Sequence, residues 1–132
     1  MVAARSRVLV VDDEPDILAG LRDILEDHFS AEVLTAASGT EALEHLRRGH
    51  FDLLVSDFRM PGIDGVQLMD AAQRMRPNLR CILVTAFDRD LVARLGARAR
   101  SARILQKPID PGAVIRQVSA SLDRHGEPAA GA

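Results

Sequence analysis

Three aspartates, one threonine and the only lysine of the chain are the residues whose types and spacing suit chemistry. Asp12 and Asp13 are adjacent, and Asp57 precedes the turn Met60-Pro61-Gly62-Ile63-Asp64-Gly65. Thr85 is followed by Ala86, and Lys107 by Pro108. Three carboxylates brought within a few ångströms repel, and one protonates unless positive charge offsets it. A hard divalent cation, Mg2+ (or Mn2+), removes that conflict: it takes oxygen ligands, tolerates bound water and leaves coordination sites for a phosphoryl oxygen. A lysine ammonium adds a compact point charge. Such a pocket suits a phosphoryl dianion, and an aspartate within it can act as nucleophile to give an acyl phosphate.

Composition singles out the lysine. Of 17 basic residues only Lys107 is a lysine, so arginine serves almost everywhere a generic cation is wanted. One explanation is a site that needs a small ammonium; the other is coding bias and chance.

The elements that must position these residues follow from the apolar pattern. Val8-Leu9-Val10-Val11, Val33-Leu34 with Ala36, Leu53-Leu54-Val55, Ile82-Leu83-Val84 and Ile104-Leu105 are short runs. Most are continuous rather than alternating, which predicts strands buried on both faces of a parallel sheet. Between them the spacing is helical: Ile17, Leu18, Leu21, Ile24 and Leu25; Leu43 and Leu46; Val66, Met69 and Ala72; Leu91, Val92 and Leu95; Val114, Ile115, Val118 and Leu122. Ser38 with Glu41 predicts a capping box, Asp110-Pro111 an N-cap and first helical residue, and Asp64 and Asp88 further caps. The pattern predicts an α/β fold, a (βα)5 doubly wound sheet of five parallel strands with right-handed crossovers.

In such a sheet ligands bind outside the carboxyl ends of the strands. Asp12 and Asp13 follow the first run, Asp57 the third, Thr85 the fourth and Lys107 the fifth, whereas the second ends in Ala36 and Ala37. Each also has an ordinary role: helix cap for Asp12 or Asp13, turn residue for Asp57, strand-end hydroxyl for Thr85, solvated charge for Lys107. Their convergence at one sheet edge favours function.

The remaining composition bounds the function. The 132 residues, 47% hydrophobic and 27% charged with formal net charge −2, describe one ordinary domain with no basic excess for nucleic acid or an anionic membrane. The N-terminus does not read as a signal peptide, and no run approaches a membrane span, so a cytoplasmic location is expected. Cys81, within an apolar run, is expected to be a buried structural thiol, and the four histidines show no zinc-ligand spacing.

Val8-Leu9-Val10-Val11-Asp12-Asp13-Glu14, Asp57-Phe58-Arg59-Met60-Pro61-Gly62-Ile63-Asp64-Gly65, Thr85-Ala86 and Lys107-Pro108 together resemble the receiver domain of two-component response regulators. The resemblance spans roughly residues 6–124. It implies a flavodoxin-like receiver fold with strand order 2-1-3-4-5, a receiver domain over residues 1–124 and a flexible tail or linker stub over residues 125–132. It implies Asp57 as phosphoacceptor, with Thr85 and Lys107 as its catalytic partners. Asp13, Asp57 and the backbone carbonyl of Arg59 would bind Mg2+, and Asp12 would hold it mainly through water. The Lys107–Pro108 bond is expected to be cis, and Ala86 leaves room for phosphoryl access. The implied partners are a histidine kinase or histidine phosphotransfer protein and a downstream output domain or protein. A homodimer through the face of the fourth helix, fifth strand and fifth helix is a further implied state.

Two positions depart from the pattern. Ile104 stands where the family usually has Tyr or Phe, and Gly96-Ala97-Arg98-Ala99-Arg100-Ser101-Ala102-Arg103 replaces the common Gly-Ala spacing. Thr85 and Ile104 are thus the switch pair to examine. Ile104 is β-branched and has no ring to swing; it either takes part in an altered switch or is a packed strand residue. Arg59 and Phe87, each two residues past a site residue, are expected at the rim. Two other readings stay open. One is a pseudo-receiver, a phosphorylation-independent interaction module. The other is a small-molecule phosphotransfer enzyme, for whose enclosing cap the chain has no room. The leading reading is a signalling receiver that catalyses only its own phosphorylation and dephosphorylation.

Overall fold

The computed structural model describes residues 5–86, 89–96 and 102–123. The described elements run β1 (Arg7–Val11), α1 (Pro15–Phe29), β2 (Glu32–Ala36), α2 (Gly39–Arg48), β3 (Leu53–Asp57), α3 (Gly65–Met75), β4 (Arg80–Thr85), α4 (Arg89–Leu95), β5 (Arg103–Gln106) and α5 (Pro111–Leu122). The strands form one sheet in the order β2-β1-β3-β4-β5, and every pairing is parallel. The expected α/β architecture and strand order are therefore observed. The cap expected at Asp88, Phe87, Arg98 and Arg100, and the tail at residues 125–132 lie outside the described residues.

The continuous apolar runs exist because both faces of the sheet are covered. Successive strand side chains point to opposite faces. Leu9, Val11, Leu54, Cys81 and Leu83 join Leu46, Leu68, Met69, Leu91 and Leu95 in one core, beneath α2, α3 and α4. Val8, Val10, Leu53, Val55, Ile82 and Val84 join Leu21, Leu25, Val114 and Val118 in the other, beneath α1 and α5. Burying one such aliphatic side chain stabilises by about 1.5–3 kcal/mol. Cys81 is buried as expected.

The helix starts show how sequence sets the boundaries. Asp110 accepts the Ala113 N–H at 2.9 Å, and Pro111 opens α5. Asp64 makes a full capping box with Gln67, both bonds at 2.9 Å. At α2 the Ser38 hydroxyl accepts the Glu41 N–H at 3.1 Å, but the Glu41 carboxylate reaches back one residue too far for a reciprocal box. It accepts the Ala37 N–H at 3.0 Å instead. Neither Asp12 nor Asp13 caps α1. Its N-cap is Glu14, without a side-chain bond, and Pro15 starts the helix.

Two apolar assignments need correction. Val92 does not share the buried stripe of Leu91 and Leu95; it is 72% exposed, because α4 meets the sheet only along its Leu91–Leu95 side. Ile104 is not a packed strand residue: β5 is an edge strand, and Ile104 is 39% exposed while Leu105 is buried. Among the described residues no helix is long and apolar enough to cross a membrane.

Candidate functional site

The strand order reverses between β1 and β3, and there the carboxyl ends open a crevice. Asp57 is the last residue of β3 and Thr85 the last of β4; Asp12 and Asp13 follow β1, and Lys107 follows β5. The ladder continues past the strand ends and fixes their backbones. Asp12 donates its N–H to the Ala36 carbonyl at 3.1 Å, Phe58 to Val84 at 2.9 Å and Lys107 to Thr85 at 2.8 Å. The structure thus brings Asp12, Asp13, Asp57, Thr85 and Lys107 to one edge of the sheet.

Carboxylate oxygens of Asp12, Asp13 and Asp57 lie within 4.8 Å of one another. Asp12 and Asp57 are buried, and Asp13 is exposed. Lys107 Nζ stands 3.3 Å from Asp57 Oδ1 and 3.7 Å from Asp12 Oδ2. Asp12 Oδ1 accepts the Glu14 N–H at 2.9 Å, which turns Oδ2 inward. That oxygen is buried without a hydrogen-bond partner, since 3.7 Å exceeds the reach of such a bond.

The electrostatics follow from this packing. Burial, and then the charge of Asp12, push the Asp57 carboxyl up to about 6 against the opposing pull of Lys107. Burial likewise raises Asp12 above the ordinary carboxylate range. Burial alone would lower the Lys107 ammonium, but Asp57 and Asp12 outweigh it and hold the group above its usual value. One lysine therefore underbalances the carboxylates. A buried orphaned oxygen, three converging carboxylates and hard oxygen donors fit a divalent cation.

The other expected residues are placed as follows. Thr85 is buried, and its hydroxyl donates to the Ala86 carbonyl at 2.5 Å. The Lys107–Pro108 bond is cis, as expected. Arg59 is exposed at the rim, with its guanidinium 4.7 Å from the Phe58 ring centroid. Ile104 lines an apolar cleft of about 180 Å³ with Thr85, Ala86, Leu91, Val92, Leu95 and Gln106.

Sequence reasoning did not assign roles to Ser56 and Gly65. The buried Ser56 hydroxyl donates to the Asp57 carbonyl at 3.0 Å. A Cβ at Gly65 would stand 2.6 Å from that same carbonyl oxygen and 2.9 Å from Phe58 Cα. Gly65 is thus the residue that lets the start of α3 lie directly against the Asp57 backbone. Its signal was its place in the Asp57-to-Gly65 motif; Ser56 carried none.

This sheet and this site define a receiver-type α/β protein. The family model for the response regulator receiver domain matches residues 8–119, and the chain belongs to that family. It is 34% identical over 121 residues to the transcriptional regulatory protein GlrR of Escherichia coli (strain K12), covering 90% of this chain and 27% of that protein. It is 38% identical over 117 residues to an uncharacterized 14.6 kDa protein of Leptolyngbya boryana, covering 87% of this chain and 88% of that one. The CheY-like receiver domain protein of Methanospirillum hungatei JF-1 superposes with a TM-score of 0.83 at 28% identity, covering 91% of this chain and 95% of that one. The chain is accordingly a receiver domain of the two-component response regulators, a family whose members generally bind Mg2+ and interact with histidine kinases and output domains.

Proposed function

We propose that the chain accepts a phosphoryl group on Asp57 from a histidine kinase or histidine phosphotransfer protein and uses it to change its contacts with an output domain or protein. The observation that carries this reading is the buried Asp57 carboxylate 3.3 Å from Lys107, with Asp12 and Asp13 oxygens alongside. A carboxylate oxygen of Asp57 attacks phosphorus, the phosphorus–nitrogen bond of the donor phosphohistidine breaks, and the nitrogen leaves with the bonding pair. Lys107 offsets the charge on the transferred group. Thr85 exchanges its bond to Ala86 for one to a phosphoryl oxygen. Ser56 and Gly65 hold the Asp57 backbone in place. Asp12, Asp13, Asp57 and the Arg59 carbonyl would hold Mg2+, which when bound neutralises the carboxylates and the phosphoryl oxygens.

On this reading the protein is a cytoplasmic signalling receiver that catalyses only its own phosphorylation and dephosphorylation. The test is intact mass after incubation with a small phosphodonor and Mg2+. Wild type gains one phosphoryl group; Asp57→Asn gains none, and neither does wild type in excess chelator. Labelling that persists in Asp57→Asn overturns the site. A protein that binds Mg2+ but is labelled by no donor is a pseudo-receiver.

A further inference from the structure

Two reciprocal ion pairs tie α4 to the turn that leaves β3. The turn contributes Arg59 and Asp64, and α4 contributes Asp90 and Arg94. Arg59 Nη2 lies 3.4 Å from Asp90 Oδ2, and Arg94 pairs with Asp64. Asp90 and Arg94 are four residues apart and so project from one face of the helix. Both guanidinium groups also approach the buried Phe58 ring, Arg59 at 4.7 Å and Arg94 at 5.7 Å from its centroid. Phe58 directly follows Asp57, so the arrangement begins one residue from the phosphoacceptor.

The two pairs are anchored differently. Asp64 is the N-cap of α3, its side chain is only 18% exposed, and its other oxygen is held by Gln67. The Arg94 pair is therefore built into the α3 start. Arg59 and Asp90 are 63% and 50% exposed. Water screens their attraction, and such a pair exchanges partners easily.

We propose that the Arg59–Asp90 pair is a phosphoryl-responsive latch on α4: phosphorylation of Asp57 draws the Arg59 guanidinium off Asp90 and removes this tie of the helix's first turn, while Arg94–Asp64 holds its last turn as the pivot. This rests on the reading of Asp57 as phosphoacceptor. A phosphoryl group brings a charge of about −1.5 to −2 and three strong acceptors, against the single charge of Asp90. The planar guanidinium fork matches phosphoryl oxygens, so the new anion competes well for it. The loaded and unloaded states then differ in a named contact of α4, which is what a shift in equilibrium requires. The latch needs no aromatic ring at position 104, and Ile104 has none.

The test uses the full chain, NMR, and beryllofluoride with Mg2+ as the phosphoryl mimic. In wild type the mimic should move the Arg59 Nε signal and the amides of residues 89–92, and leave the Arg94 Nε signal in place. In Arg59→Gln the first turn should already sit at its loaded position, and the mimic should add no shift at residues 89–92. Asp90→Asn, which removes the other half of the pair, should likewise hold the first turn at its loaded position, and the mimic should add no shift there. The amide of Lys107 reports mimic binding independently. A Lys107 response with wild-type shifts at residues 89–92 in Arg59→Gln or in Asp90→Asn overturns the latch alone. No response at Lys107 in wild type overturns the phosphoacceptor reading and the latch with it.

Discussion

Lys107 faces Asp57 at 3.3 Å across the end of β4, joining the carboxyl ends of two strands that are not neighbours in the sheet. The ion pair therefore bridges over Thr85, and the three residues share one rim. Replacing Lys107 by Met leaves two buried aspartates without a cation between them. The Asp57 carboxyl should rise further, and labelling by a small phosphodonor at saturating Mg2+ should slow on the order of 10²-fold or more, the scale for losing one charge-stabilising donor. Lys107→Arg should not restore the rate, because the guanidinium is wider and planar. Equal rates for wild type and Lys107→Met would remove Lys107 from the reaction.

Asp57 should also tie stability to pH. Burial, then Asp12, lifts its folded-state carboxyl from 3.8 to about 6. The folded protein thus holds this proton more tightly than the unfolded chain does. The stability it contributes is full below about pH 4 and is lost as the pH rises through about 6. In chelator at neutral pH, Asp57→Asn should be more stable than wild type by up to about 3 kcal/mol, with roughly half of that gain appearing between about pH 5 and about pH 7.5. Denaturant titrations of both proteins at the two pH values measure it. A gap between them that does not widen with pH contradicts the raised carboxyl.

Gly65 and Gly62 should separate site geometry from turn strain. Gly62 has φ +80 with nothing near its absent Cβ, so Gly62→Ala should cost about 1–2 kcal/mol of stability and leave labelling intact. A Cβ at Gly65 meets backbone at 2.6 Å and 2.9 Å, which has no flexible end to give way. Gly65→Ala should cost about 1–3 kcal/mol and also shift Asp57, so that labelling slows even at temperatures where the variant is fully folded. Chemical denaturation beside intact-mass kinetics reads both effects. Normal labelling in folded Gly65→Ala would show that the Asp57 backbone tolerates the displacement.

Cys81 should be inert in the native protein. It is 3% exposed, and burial pushes its thiol up to about 12 although Gln73 lies alongside. A maleimide or iodoacetamide should react only as fast as the protein unfolds, since the thiolate is the nucleophile. Alkylation in native buffer at the rate of the denatured chain would contradict this burial.

The sheet and the polar residues gathered at its carboxyl edge were legible in the sequence for a physical reason. A parallel strand covered on both faces must be apolar throughout, so Val8-Leu9-Val10-Val11 and Ile82-Leu83-Val84 marked themselves, and the polar residues that end the runs lie at the sheet edge. What local pattern could not show depends on which surfaces meet. Val92 satisfies helical spacing but faces outward, because only the Leu91–Leu95 side of α4 reaches the sheet. Ile104 reads as strand core, and it is exposed because it faces the α4 side of β5, where the cleft beside Leu91 and Leu95 is left open. Arg59 with Asp90, and Asp64 with Arg94, are each about 30 positions apart, beyond any local rule.

Ile104 offers the sharpest check on how the domain changes state. It lines the apolar cleft beside Thr85 and is 39% exposed. Its β-branch restricts χ1, and no ring is present to swing between the cleft and solvent. If Thr85 turns from the Ala86 carbonyl toward a phosphoryl oxygen, the stiff χ1 of Ile104 favours its present rotamer. We therefore expect one Ile104 rotamer with and without beryllofluoride, measured by methyl NMR. Ile104→Ala should lose no more than about 1 kcal/mol of stability, because only part of its apolar surface is buried. The same variant should keep the mimic-induced shifts of residues 89–92, which travel through Arg59. Two populated Ile104 rotamers, or loss of the α4 response in Ile104→Ala, would place the switch at position 104 after all.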